Sequence, residues 1–171
     1  AQPVTKVVDN IVVVLDLSLS MLAEDTPPSR LVRAKQKIVD LLGYRTEGST
    51  ALIAFSGDSF VVTPLTDDTR TIESNLAALG PLLMPVIGSR ADLAIAQAIE
   101  VFENSKLNSG RVVLVTDGVA AHQATSITEQ LSRTKFSLNI ISVGTESGAP
   151  IPLPNNRGYL QDNGAIVIPK T

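Results

Sequence analysis

The sequence predicts an α/β fold: a doubly wound, mainly parallel sheet with helices on both faces and a terminal β-hairpin. Three observations carry that expectation. Residues 11–15, IVVVL, form a continuous apolar run, mostly β-branched, of the kind found in a strand buried on both faces. Further apolar runs alternate with segments of helical periodicity, the pattern of parallel strands joined by crossover helices. Two of the runs end in an aspartate, Asp16 and Asp117, at the strand end where open α/β sheets gather their ligands.

The elements follow in order. Residues 1–10 read as a short lead-in, 11–143 as the α/β core and 144–171 as an extension, all within one domain of 171 residues. After the first strand, the DTPPS turn at 25–29 approaches a helix over 29–42. Leu31, Ala34, Ile38, Leu41 and Leu42 share one face of that helix, with Arg30, Arg33, Lys35 and Lys37 mostly off it. Residues 49–56 read as a second strand and 60–63 as a third, joined by a tight GDS turn. A helix over 69–79 buries Ile72, Leu76 and Leu79. An irregular apolar loop, GPLLMPVIGSR, leads to an alanine-rich helix over 92–105 with the stripe Leu93, Ala96, Ile99 and Phe102. A fourth strand over 111–116, a short helix over 126–132 and a fifth strand over 138–143 complete the core. Asn163-Gly164 marks the turn of a hairpin between 158–160 and 165–168, which is expected to pack at a sheet edge.

Composition removes several function classes. The net charge of -3 supplies no basic footprint for nucleic acid. The absence of cysteine excludes disulfides, zinc-thiolate sites and thiol catalysis. No apolar run reaches the roughly 20 residues that span a bilayer. Starting at Ala1 without Met, the chain reads as a processed form or an excised domain.

The chemistry gathers in three loops that this fold places on one edge of the sheet. They hold Asp16, Ser18 and Ser20, then Ser89, then Asp117. Two carboxylates and three hydroxyls, completed by water, make an all-oxygen shell suited to magnesium or manganese rather than to zinc or copper. Taken by themselves, these residues also fit an aspartate ending a strand and serines forming a turn.

The sequence DLSLS, with GSRAD and VLVTDG downstream, resembles the von Willebrand factor A family. The metal-ion-dependent adhesion site of that family reads Asp-x-Ser-x-Ser, then a threonine, then an aspartate. The threonine is carried here as Ser89, which keeps the hydroxyl and loses the methyl group that stiffens the rotamer. The resemblance implies a protein-binding module and not an enzyme. Its Mg²⁺ or Mn²⁺ would leave an open position for a Glu or Asp carboxylate of a protein partner. The GTESGAPIP segment and the closing YLQDNGAIVIP look most like bacterial aerotolerance-operon (Bat-type) proteins. That likeness implies an inner-membrane protein with hydrophobic segments on both sides of this domain, which faces the periplasm. It also implies other Bat-type proteins and a MoxR-type AAA+ ATPase as partners.

Two alternatives stand beside this reading. One is a structural assembly domain with a degenerate metal site, associating through Leu82, Leu83, Met84, Val86 and Ile87. At least half of these five are expected to finish the core. The other is metal-dependent phosphoryl transfer or hydrolysis. Against it, the positions after Asp16 lack a second acid, and no GxxxxGK or GxGxxG loop is present. Asp92 is expected to cap its helix or to be solvated rather than to ligate the ion, and Arg90 and His122 to face solvent.

Overall fold

A computed structural model describes residues 8–153 and 157–171. The part of the lead-in over residues 1–7 therefore lies outside the described residues. Five strands form one sheet in the order β3-β2-β1-β4-β5: β1 Ile11–Asp16, β2 Thr50–Phe55, β3 Ser59–Thr66, β4 Ser109–Thr116 and β5 Lys135–Ser142. β1 lies at the centre, parallel to both β2 and β4, and β4 is parallel to β5. Every residue of β1 is buried, as its unbroken apolar run requires.

Alternation along β1 divides the interior into two cores. Ile11, Val13 and Leu15 point to the face covered by α1 (Arg30–Gly43) and α2 (Thr69–Ala77), where they meet Leu31, Ala34, Ile38, Ile72 and Leu76. Val12 and Val14 point to the face covered by α3 (Ala91–Asn104) and α4 (Ala121–Ser132), with Ala94, Ile95, Ala98, Phe102 and Ile127. Helices thus cover both faces of a mainly parallel sheet.

One strand departs from parallel. β3 runs antiparallel to β2, because the three residues between them close a hairpin and leave no room for a crossover helix. Pro64 lies on this edge strand, inside the irregular register between Leu52↔Thr63 and Thr50↔Thr66, where its missing N–H disrupts no regular pair.

The stripe expected on α3 is out of phase. Ala91, Ala94, Ile95, Ala98 and Phe102 are buried, whereas Ala96 is exposed and Leu93 and Ile99 are only partly covered. Small alanines let the helix lie close to the sheet, and its large side chains wedge in at either flank. Phe102 stacks on Phe136 with ring centroids 4.7 Å apart, over Gly110, where a Cβ would meet the ring at 2.7 Å.

Other boundaries shift outward. α4 begins at Ala121 and β5 at Lys135, earlier than the apolar pattern suggests: buried Gln123 near the start of α4 and buried Phe136 near the start of β5 are flanked by exposed residues and form no apolar run. Ser29 caps α1 by accepting from the Val32 N–H, and Asp68 caps α2. The terminal hairpin is present but shifted: β6 is Gln161–Asp162, within the stretch expected as turn, and not 158–160, while β7 is Ala165–Ile166, with Asn163 and Gly164 turning between them at positive φ. It forms a two-stranded sheet of its own and adds no strand to the main one.

Candidate functional site

β1 delivers Asp16 to the carboxyl edge of the sheet, where it is fully buried. Both of its oxygens are held. Oδ1 accepts from the Ser18 N–H at 2.8 Å, and Oδ2 accepts from the Thr116 hydroxyl at 2.7 Å. The chain then enters a 3-10 turn over Leu19–Leu22, which brings the Ser18 and Ser20 hydroxyls to 3.0 Å from each other. Asp117 follows directly from β4, the strand beside β1.

Ser20, Ser89 and Asp117 line one cleft of about 560 Å³, together with Gly118, Gln123 and Lys170. Asp16 and Ser18 are buried and joined to it through Asp117 and Ser20. The structure thus brings all three sequence-predicted loops to one place. Among the described residues no three His, Cys, Asp or Glu side chains cluster as a metal site, so any ion here depends on the hydroxyls. The donor set, carboxylate and hydroxyl oxygens only, is one that a hard divalent cation accepts.

Two close carboxylates in a buried place are electrostatically costly. Burial, and then the nearby charge of Asp117, pushes the Asp16 carboxyl up to about 7; the Ser18 and Thr116 hydrogen bonds oppose that rise.

The loop bearing Ser89 is firmly held. The Val86 carbonyl accepts from the Gly57 N–H at 2.9 Å and from the Ser56 hydroxyl at 2.6 Å, and the Arg90 N–H donates to the Ser56 carbonyl at 2.7 Å. A Cβ on Gly57 would sit 2.5 Å from the Ile87 carbonyl, so the two loops approach closely only because of that glycine. The side chains are thereby turned outward. Leu82, Leu83, Val86 and Ile87 are exposed, and only Met84 packs against the core. The expectation that at least half would finish the core is therefore wrong: of the five only Met84 is partly buried against it.

Asp92 is not the N-cap residue of α3, which is Arg90, but its carboxylate lies by the first-turn backbone N–H groups. It stands in the first turn and forms a two-point ion pair with the exposed Arg90, both contacts at 2.9 Å. Gln123 of α4 also serves the end of α3, accepting from the Ala91 N–H at 3.1 Å. His122 is exposed, as expected for a solvent-facing histidine.

Sequence reasoning missed two residues. Thr116 anchors Asp16; it had read only as the last residue of a strand. Arg30 had read as a surface position on α1, yet it is fully buried. Its Nε and Nη2 grip both oxygens of Asp25 at 2.7 Å, and its Nη1 donates to Asp117 at 3.0 Å. Asp25, five residues ahead of Arg30 in an otherwise turn-like segment, was the available signal.

Over residues 11–120 the chain matches the family model of the von Willebrand factor type A domain. The chain belongs to that family. Von Willebrand factor type A (VWA) domains are protein-interaction modules. Two solved structures resemble this VWA domain over 95% of its length, each with a TM-score of 0.81. One is BatB of Bacteroides thetaiotaomicron, 28% identical and covered over 80% of its chain. The other is an aerotolerance-related membrane protein of Bacteroides fragilis, 29% identical and covered over 81%. An uncharacterized protein of Borreliella burgdorferi is 32% identical over 112 residues, which are 64% of this chain. The matched part is 32% of that relative, so the VWA domain spans about a third of its length. No helix among the described residues is long and apolar enough to cross a membrane.

Proposed function

We propose that this VWA domain binds Mg²⁺ or Mn²⁺ through Asp16, Ser18, Ser20, Ser89 and Asp117, and through the ion engages a Glu or Asp carboxylate of a protein partner. The observation that carries the reading is the convergence of three loops on one cleft, with Ser20, Ser89 and Asp117 on its walls and Asp16 and Ser18 buried alongside. A bound ion would supply Lewis acidity and an exchangeable coordination position. The chain's own residues do the rest. Thr116 and the Ser18 N–H hold the Asp16 carboxylate in one orientation, and the turn after β1 presents two hydroxyls side by side. Exposed Leu82, Leu83, Val86 and Ile87, next to Ser89, add an apolar contact surface for the same partner.

The domain acts by binding and not by turnover. The single histidine is exposed, and Asp117 is engaged by Arg30 rather than poised beside a nucleophile. Likeness to BatB and to the aerotolerance-related membrane protein supports a place in a bacterial envelope complex. In that setting the domain faces the periplasm from an inner-membrane protein, with other Bat-type proteins and a MoxR-type ATPase system as partners.

Calorimetric titration of magnesium and manganese into wild type and Asp16→Ala tests the ion. Pull-down of the neighbouring membrane or ATPase components, with and without metal, tests the partner. Equal, metal-independent behaviour of both proteins in both assays would leave only a structural assembly domain. Phosphoester or nucleotide turnover that disappears in Asp16→Ala would replace binding with catalysis.

A further inference from the structure

Residues 169–171 run into the proposed ion site. Pro169, Lys170 and Thr171 line the same cleft as Ser20, Ser89 and Asp117. They are fastened there by a network that starts at Asp25. That carboxylate holds Arg30 by both oxygens and also accepts from the Thr145 N–H and hydroxyl, each at 2.8 Å. Arg30 is thereby fixed at the root of α1 with both Nη groups still able to donate. Nη1 goes to Asp117 at 3.0 Å, and Nη2 reaches the Pro169 carbonyl at 2.8 Å. Thr145 closes the ring through its own carbonyl, which accepts from the Thr171 N–H at 3.3 Å.

The fit around this ring is tight. Gly144 has φ +103, and a Cβ there would lie 2.5 Å from the Thr171 methyl and 2.7 Å from Arg30 Nε. One missing side chain therefore makes room for both the guanidinium and Thr171. A buried guanidinium is stable only with its donors satisfied, so losing either the Pro169 carbonyl or Asp117 leaves an N–H without a partner in a place water does not reach.

We propose that Arg30 is a positioning residue that couples residues 168–171 to the ion site, so that docking of that segment and binding of the cation favour each other. The proposal rests on the metal reading given above. Arg30, held by Asp25, fixes the rotamer of Asp117 through one oxygen and leaves the other oxygen for the ion. The carbonyl of Pro169 helps to fix Arg30. An ion that orders Asp117 orders Arg30 and hence the segment. By linkage, the segment must tighten the ion by the same factor.

The test compares deletion of residues 168–171, which takes out the Pro169 carbonyl together with cleft-lining Lys170, with Lys170→Ala, which removes the charge alone, and with Arg30→Lys and Asp25→Asn. Magnesium affinity is measured by calorimetry in each. Docking of the segment is read from a fluorophore on Lys170→Cys, a unique thiol in a chain without cysteine. Coupling predicts that the deletion weakens magnesium roughly 5- to 10-fold in a chain that still unfolds cooperatively, with its thermal midpoint lowered by the lost Pro169 contact to Arg30. It also predicts that magnesium quenches motion of the probe in wild type. Asp25→Asn, which touches no ion ligand, and Arg30→Lys, which keeps the charge but loses the fork, should lose both effects. If the deleted chain binds magnesium like wild type, or if the probe ignores the ion, the coupling is wrong while the metal reading stands. If wild type binds neither magnesium nor manganese, the metal reading fails and this proposal falls with it.

Discussion

Thr116 Oγ1 donates to Asp16 Oδ2 across the β4–β1 boundary at 2.7 Å, so two strand ends 100 residues apart share one buried hydrogen bond. The same hydroxyl meets the backbone of Gly118, accepting from its N–H at 3.1 Å. Thr116 thus sets the orientation of Asp16 and shapes the loop that carries Asp117. Thr116→Val keeps the β-branched shape and removes that hydroxyl. It should lower unfolding stability by about 1–3 kcal/mol in urea titration and weaken magnesium measurably more than a matched Thr63→Val change on the edge strand.

Asp16 sets a pH dependence with a definite sign. Its carboxyl titrates at about 7 in the metal-free fold, above the value of about 4 for an unfolded aspartate. The folded state therefore holds a proton that the unfolded state has released. Its stabilising contribution is complete below about pH 4 and is lost as pH rises through about 7. A divalent cation must displace that proton. Magnesium affinity should fall by up to about tenfold per pH unit below pH 7, as read by titrations between pH 5.5 and 8.

Asp25 acts with the opposite sign. The Arg30 hydrogen bonds hold its carboxyl well below the usual carboxylate range, aided by those from Thr145. Its contribution is present above the unfolded value and is lost as pH falls toward the depressed folded one. Asp25→Asn should remove much of the acid-limb destabilisation between about pH 4 and pH 2, while lowering stability near neutrality. Thermal midpoints across pH in wild type and variant check both limbs.

The exposed apolar loop makes a surface prediction. Leu82→Ser/Ile87→Ser should leave the thermal midpoint and magnesium affinity almost unchanged, since both side chains face solvent. Retention on a hydrophobic-interaction column should fall, as should metal-dependent capture of the partner. A large loss of stability would mean that these side chains serve the core.

The phase of α3 can be checked directly. Phe102→Ala should cost about 3–5 kcal/mol, as expected for a large buried aromatic. Leu93→Ala, at a half-covered position, should cost less than about half of that. Equal costs would restore the stripe read from the sequence.

Much of this protein is local and therefore legible in the chain. The run 11–15 determines a central strand because five consecutive apolar side chains need cover on both faces. DLSLS, Ser89 and TDG are legible because short-range spacing places oxygens at strand ends, and Asn163-Gly164 is legible as a turn. Other features depended on what lies opposite. The direction of β3 followed from a short connection, and the phase of α3 from how closely alanines could approach the sheet. The course of the loop past Val86 and Ile87, both exposed, is set by hydrogen bonds from distant Ser56 and Gly57 to the Val86 carbonyl. Arg30 was decided most completely by tertiary structure. On a helix wheel it is one more charge, but in the fold Asp25, Asp117 and the Pro169 carbonyl converge on it. A guanidinium can be buried only where partners arrive from several directions, and two of these three are 87 and 139 residues away.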